Sequence, residues 1–224
     1  MGAKVAVRAD LSRDAIVDRS LAIADAEGIG AITIRRVAQE FGVTPMALYW
    51  HVKNKDELLD AMGDRFFEHL DPVPTDGDWA DQLRAAVASL VVALRRHPGA
   101  AHLAAARVMH CAAGRDLAER TLGLLRAEGF TVAQAADIAR NAMQTAVMLV
   151  TNEAGAEPHA AAELRQGLLE TKRNALKALP IDRYPHLVEA ADAMTDCEDV
   201  DGYYEFGVDM FVAGARATLA AAKA

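Results

Sequence analysis

The chain of 224 residues holds only two cysteines, Cys111 and Cys197, neither in a CxxC pair nor at metal-ligand spacing. Such usage excludes a disulfide framework and a cysteine-based zinc site, so no metal and no cofactor are expected. Two isolated thiols fit a reducing cytoplasm, with each acting as a small buried hydrophobe. Long apolar runs are missing too. The longest, residues 85–94, is about ten residues and is interrupted by Ser89, too short to span a bilayer. The opening residues MGAKVAVRAD carry no apolar core of signal-peptide length, so neither a membrane partner nor a secretory leader is expected. Aromatic residues are scarce at 5%. No strand pattern of length, no repeat and no low-complexity block occurs beyond a richness in alanine.

What is present is helical. Hydrophobic residues make up 52% of the chain, many of them alanine, which favours close-packed helices and predicts an all-α protein. The length supports one or two domains with a real core. The net charge is −8, which would oppose nucleic-acid binding if spread evenly. It is uneven. Residues 1–70 carry nine basic and eleven acidic side chains, whereas residues 71–224 carry fifteen and twenty-one. Within residues 31–55 the balance reverses: Arg35, Arg36, Lys53 and Lys55 face a single acid, Glu40.

That basic stretch has a definite local grammar. Ile34, Val37, Ala38 and Phe41 recur at helical spacing behind Thr33, an N-cap residue. Gly42 supplies the positive φ of a helix C-terminus, and Val43 points back to the core. Thr44 and Pro45 open a second, short helix as N-cap and first helical residue. Leu48 and Val52 face inward, leaving Pro45, Met46, Ala47, Tyr49, Trp50 and His51 outside. Asn54 and Glu57 read as a capping box that starts a third helix. Two short helices joined by a glycine turn form a helix-turn-helix, whose second helix enters the DNA major groove. The outer face suits that task. Met46 and Ala47 can contact a thymine methyl, and Arg35 can pair with guanine. Tyr49, His51, Lys55 and the hydroxyls of Thr33 and Thr44 can bond phosphates. Similar turns also occur in α proteins that never touch DNA, but an exposed Tyr-Trp-His run argues for a partner.

The segment LYWHVKNKDELLDA, residues 48–61, together with Gly42-Val43, resembles the recognition-helix end and fourth-helix start of the tetracycline-repressor (TetR/AcrR) family of bacterial transcription regulators. The resemblance implies DNA-contact roles for Arg35, Tyr49, His51 and Lys55. Pro45, Met46 and Ala47 fall at positions that vary across that family, so the operator sequence does not follow.

Around this segment, residues 1–10 read as a loose arm, with Lys4, Arg8 and Arg13 near the phosphate backbone or as a solvated tail. A first helix over 12–27 buries Ile16, Ser20, Ile23 and Ala24 and stops at Gly28. A connecting helix over 55–70 turns Leu58, Leu59, Met62 and Phe66 inward. Residues 71–78, DPVPTDGD, mark a boundary. The expected organisation is therefore a helix-turn-helix headpiece over 1–70 and a helical effector-binding and dimerisation domain over 71–224. Further helices are predicted over 79–96, 100–109, 115–128, 131–152, 164–179 and 203–221. Residues 156–162 read as a loop with Pro158, and 184–201 as irregular or a short helix. Inward positions on 131–152 include Val132, Ala135, Ile138, Ala142, Ala146 and Leu149. On 203–221 they are Phe206, Met210, Phe211, Ala213 and Ala217.

Beyond the headpiece, Trp79, Leu83, RRHPGAAHL, LLRAEGF and YEFGVDMFVAG are similar to the ligand-binding domain of the tetracycline repressor's own subgroup. This implies a homodimer through helices 131–152 and 203–221. Both helices are apolar on more than one face, which agrees. A two-fold dimer calls for a palindromic operator on double-stranded DNA. The resemblance also implies a cavity for a small-molecule effector. The candidate contacts are His102, Met109, His110, Met143, Gln144, Met148 and Asn152. His102 falls where the family's tetracycline-binding members keep a magnesium-holding histidine. The acidic partner is replaced by Asn152, so neither tetracycline nor a metal is expected. The alternatives are a dimeric DNA-binding regulator without effector and an all-α enzyme. For the latter, only His110-Cys111 beside Arg115 and Asp116 resembles nucleophilic chemistry. Adjacent residues on a helix diverge by about 100°, so His110 is badly placed to activate Cys111 and no enzyme is expected.

Overall fold

The structure, a computed structural model, describes residues 11–68, 70–153, 162–196 and 199–223. Among them are eleven α-helices and no strand: α1 (Arg13–Glu27), α2 (Ile34–Phe41), α3 (Pro45–Leu48), α4 (Lys55–Glu68), α5 (Trp79–Arg95), α6 (Ala101–Arg107), α7 (Ala112–Ala127), α8 (Val132–Thr151), α9 (Ala162–Lys177), α10 (Pro185–Glu189) and α11 (Val200–Lys223). The arm at 1–10, Cys197 and most of the loop expected at 156–162 lie outside the described residues.

Short-range chemistry sets the helix ends. Ser12 Oγ accepts from Ala15 N–H, and Gly28 at φ 84° ends α1. Thr33 Oγ1 accepts from Arg36 N–H at 3.0 Å, and Gly42 sits in the left-handed region at φ 65°. Thr131 and Gln134 form a full capping box at the head of α8. Two expected caps differ. Thr44 occupies the N-cap position of α3, but its hydroxyl makes no cap bond. Pro45 has already removed one donor that it would serve. At α4, Asn54 Oδ1 accepts from Glu57 N–H at 2.8 Å, while the Glu57 carboxylate reaches Lys53 N–H, one residue further back than a standard box.

The inner face of α1 is buried, with the Ser20 hydroxyl donating to Ile16 O at 2.7 Å so that no polar atom is stranded. It packs on α2 and α4 to close the headpiece. Leu48 and Val52 are fully buried beneath α3. Phe66 and Phe67 on α4 carry this core without a break into the rest of the molecule. There α8 is the centre, touching α5, α6, α7 and α11. By contrast, α9 packs on α10 and on the 3-10 turn Ala193–Thr195. Arg173 Nε bonds the buried Thr195 hydroxyl at 2.9 Å in that contact.

Three expectations in this region are corrected. α7 begins at Ala112 rather than 115, because Cys111 Sγ caps it by accepting from Gly114 N–H at 3.2 Å. Val132 is exposed, whereas Ala135 in the same turn is buried. On α11 the buried stripe is Tyr204, Val208, Val212, Ala215 and Leu219. Phe206 and Met210 are 68% and 62% exposed, Ala213 and Ala217 are exposed, and Phe211 is half-buried. The helix carries apolar residues on more than one face, and contact with α5 and α8 selects a face two positions along from most of the expected residues.

Candidate functional site

The outward surface of α2, α3 and the turn after it collects the residues expected to meet DNA. Thr33, Arg35, Thr44, Pro45, Met46, Tyr49, Trp50 and Lys55 are exposed, and Ala47 and His51 are half-buried. Trp50 is the extreme, 87% exposed. A large apolar ring held in water in the turn after α3 has no folding benefit and signals a partner. Arg36, counted in the basic balance of this stretch, is withdrawn from it. Its guanidinium clamps Glu27 at 2.5 Å and Glu40 at 2.7 Å. The hydrogen bond from Arg36 holds the Glu27 carboxyl below its ordinary range. Arg36 thereby ties α1 to α2 and leaves the neighbouring Arg35 pointing outward.

Between α5, α6, α7 and α8 lies a half-open cavity of about 340 Å³, a volume within the range of small-molecule sites. Its walls are Leu83, Ala86, Val87 and Leu90 of α5, Ala105, Val108 and Met109 at the end of α6, and Leu117, Ala118, Thr121 and Leu122 of α7. α8 adds Ala136, Ala139, Arg140, Ala142, Met143 and Gln144. The alanines leave the space that larger side chains would fill. Met109, Met143 and Gln144 of the expected contacts line it. The others do not. His102 is exposed on α6, and His110 Nδ1 lies 3.1 Å from Asp60 Oδ1. Met148 is exposed. The Asn152 amide donates to Met148 O and Thr151 Oγ1, closing its own helix. Leu83, Leu117, Thr121 and Arg140 line the cavity as well, although they were not among the expected effector contacts.

Residues 71–219 match the family description "Tetracyclin repressor-like, C-terminal domain", and residues 16–62 match "Bacterial regulatory proteins, tetR family". The chain belongs to the tetracycline-repressor family. Its members are ligand-responsive, DNA-binding transcriptional regulators and not enzymes. The repressor DrrR1 of Streptomyces coeruleorubidus is 36% identical over 124 residues, 54% of this chain and 46% of that protein. The match thus spans about half of that relative's length. An HTH-type transcriptional regulator of Saccharopolyspora erythraea is 29% identical over 209 residues, 93% of this chain and 86% of the relative. The structure of Streptomyces coelicolor ActR in complex with actinorhodin superposes with a TM-score of 0.74 at 32% identity, covering 94% of this chain and 99% of ActR.

In this tetracycline-repressor-family chain two joints connect the headpiece to the cavity walls. At the first, Asp60 of α4 takes Arg107 Nη1 at 2.6 Å and His110 Nδ1 at 3.1 Å. Gly63 makes the approach possible, since a Cβ there would lie 2.7 Å from Arg107 Cβ. At the second, Asp25 of α1 accepts from Gly99 N–H at 3.0 Å and meets His97 Nδ1 at 2.7 Å. A Cβ on Gly99 would stand 2.3 Å from Ala24 O, so the backbone contact needs glycine. Arg65 then fixes α4 to α1 through Asp14 and Asp18.

The possible nucleophile has no partner geometry. The Cys111 thiol is buried and bonded to Gly114 N–H, and burial pushes it up from its ordinary value. His110 is turned to Asp60 instead. Among the described residues no group of three His, Cys, Asp or Glu could hold a metal ion.

Proposed function

We propose that this regulator reads a palindromic operator as a homodimer through the Thr33–Lys55 face, and that a small molecule in the α5–α8 cavity releases it, as in a repressor. On this reading residues 1–70 form the DNA-binding domain and residues 71–224 the effector-binding and dimerisation domain. The observation that carries it is the adjacency at the end of α6: Val108 and Met109 form cavity wall, and Arg107, the residue before them, grips Asp60 of α4. Anything that swells the cavity pushes on the same turn that holds the headpiece lever. The second joint at Asp25 stays fixed to the α5–α6 connection, so displacement at the first becomes rotation of the headpiece. The ligand shifts this balance only as far as its affinity differs between the two arrangements. ActR, structurally similar over nearly its full length, has been solved with actinorhodin bound, which supports a small-molecule effector. A regulator without effector would have no use for a void at this wall.

Dimerisation rests on α8 and α11. Phe206, Met210, Ala213 and Ala217 of α11 and Gln144 and Met148 of α8 are exposed in the protomer. Large apolar side chains such as Phe206, Met210 and Met148, exposed on two helices that touch, are covered in most soluble proteins. A two-fold axis between these helices sets two Trp50-bearing faces to read half-sites roughly 34–36 Å apart. The test is selection of bound sequences from random DNA by the purified protein at two salt concentrations. A palindrome with that spacing and affinity falling steeply with salt supports the reading. Recovery of a single asymmetric half-site overturns the dimeric part.

A further inference from the structure

The effector cavity does not end where α5 meets α7. A second compartment of about 370 Å³ lies on the far side of the same wall, bounded by the linker residues Val73, Pro74 and Thr75, by Gln82 and by Arg120. The two compartments share Leu83, Ala86, Leu117 and Thr121. These four residues are therefore a partition and not an outer boundary. Leu83 and Leu117 carry most of its bulk. The Thr121 hydroxyl donates to Leu117 O at 2.8 Å, so toward either compartment its oxygen is an acceptor.

The charge pattern of the lining is one-sided. Neither compartment has an aspartate or glutamate in its wall, and each has one arginine: Arg140 in the first, Arg120 in the second. Arg140 also meets Asp137 at 3.0 Å, but both side chains are largely exposed, so that pair holds it weakly. For Arg120 no ion pair is found among the described residues. Arg120 also borders a groove lined by Asp71, Asp116 and Glu119. In a chain of net −8, two acid-free linings that each include an arginine favour an anion over a cation. Arginine recognises planar oxyanions bidentately.

Building on the cavity reading above, we infer that the effector is an elongated, mostly apolar molecule with an acidic group at each end, lying across the Leu83–Leu117 partition from Arg140 to Arg120. A compact ligand would fill the first compartment and leave Arg120 unused. A cation would meet two like charges and no counter-charge.

Three related dyes test length and charge separately on the full chain: 8-anilinonaphthalene-1-sulfonate, its uncharged counterpart N-phenyl-1-naphthylamine, and the doubled, doubly charged bis-anilinonaphthalene sulfonate. In fluorescence titrations the sulfonate dye should bind about tenfold more tightly than the uncharged one, and the doubled dye about tenfold more tightly again. Arg140→Gln should remove the first preference. Arg120→Gln and Gly123→Phe should each remove the second while single-sulfonate binding persists. Gly123 is an exposed residue of the second compartment where an added Cβ meets nothing within 4 Å, so the new ring can enter it without disturbing the fold. Equal binding of charged and uncharged dyes, or a doubled dye indifferent to both Arg120→Gln and Gly123→Phe, overturns the inference. Ala139→Phe, which fills the first compartment, separates the two readings. If it abolishes dye binding but the wild type shows no charge or length preference, only this inference falls. If all three dyes bind it as before, the cavity is not the ligand site and both fall.

Discussion

Arg107 on α6 and Asp60 on α4 stand 2.6 Å apart, Nη1 to Oδ1, across the joint between the DNA-reading helices and the cavity. The Arg107 side chain is mostly buried and Asp60 only partly so. A pair in such a setting stabilises more than an exposed one, and removal of one member leaves the other short of a partner. Asp60 keeps His110, and Arg107 keeps a longer contact to Asp56 at 3.8 Å.

Arg107→Ala should therefore lower stability by about 1–3 kcal/mol, read as a fall in denaturation midpoint. It should also change operator affinity, by about fivefold or more, because it biases the headpiece arrangement without lying on the DNA-facing surface. An unchanged operator dissociation constant in a folded Arg107→Ala protein contradicts this joint as the lever.

The reading face separates into two kinds of contact. Tyr49→Ala and Lys55→Ala should weaken binding to every sequence and reduce the salt slope by about one for Lys55. Arg35→Ala should cost about 1–3 kcal/mol on the preferred sequence and relax the choice at a single base pair. Competition binding against single-base operator variants distinguishes the two. Unaltered affinity on Tyr49→Ala rules out the docking assigned here.

Phe206→Asp together with Met210→Asp should yield a folded monomer. Both side chains are exposed in the protomer, so its own core loses nothing, whereas a charge pair buried at a two-fold interface is strongly unfavourable. Light scattering reads the mass. A double variant that remains dimeric moves the interface elsewhere.

Gly99→Ala should destabilise the chain by about 1–3 kcal/mol, since its Cβ would overlap the α1 carbonyl at Ala24 and the joint must open. Gly167→Ala is the control: an added Cβ meets nothing within 4 Å, and alanine is the better helix former. Thermal melts of the two variants should move in opposite directions.

Tyr204 sets a pH dependence. Burial first, and then the hydrogen bond to Glu153 at 2.5 Å, push its phenol above the ordinary value of 10.0. The folded value is higher than the unfolded one. The associated stability is therefore complete below pH 10.0 and declines as the pH rises from there through the folded value. Tyr204→Phe should lose about 0.5–1.5 kcal/mol at neutral pH and show less further decline in alkali. Denaturant titrations at neutral and alkaline pH compare the slopes.

The enzyme reading fails on geometry at Cys111. A thiol raised by burial and bonded at a helix start is a poor nucleophile, and the adjacent histidine is engaged elsewhere.

The amino-acid sequence by itself determined the features that depend on a few neighbouring residues. Thr33, Gly42 and Pro45 set the helix-turn-helix, Gly28 and Gly129 end their helices, and Thr131 with Gln134 starts α8. Caps and left-handed turns are local hydrogen bonds and dihedral preferences, complete within a handful of residues. Tertiary structure alone decided which face of α11 is buried, because apolar residues lie on more than one of its faces and its own pattern does not choose between them. It also decided which residues surround the cavity. Alanine reads the same in a tight interface as beside a void, and only the placement of α5 to α8 distinguishes them. The links between headpiece and cavity are of the same kind. Asp60 meets Arg107 across 47 residues and Asp25 meets His97 across 72, and no local signal joins charges that far apart along the chain.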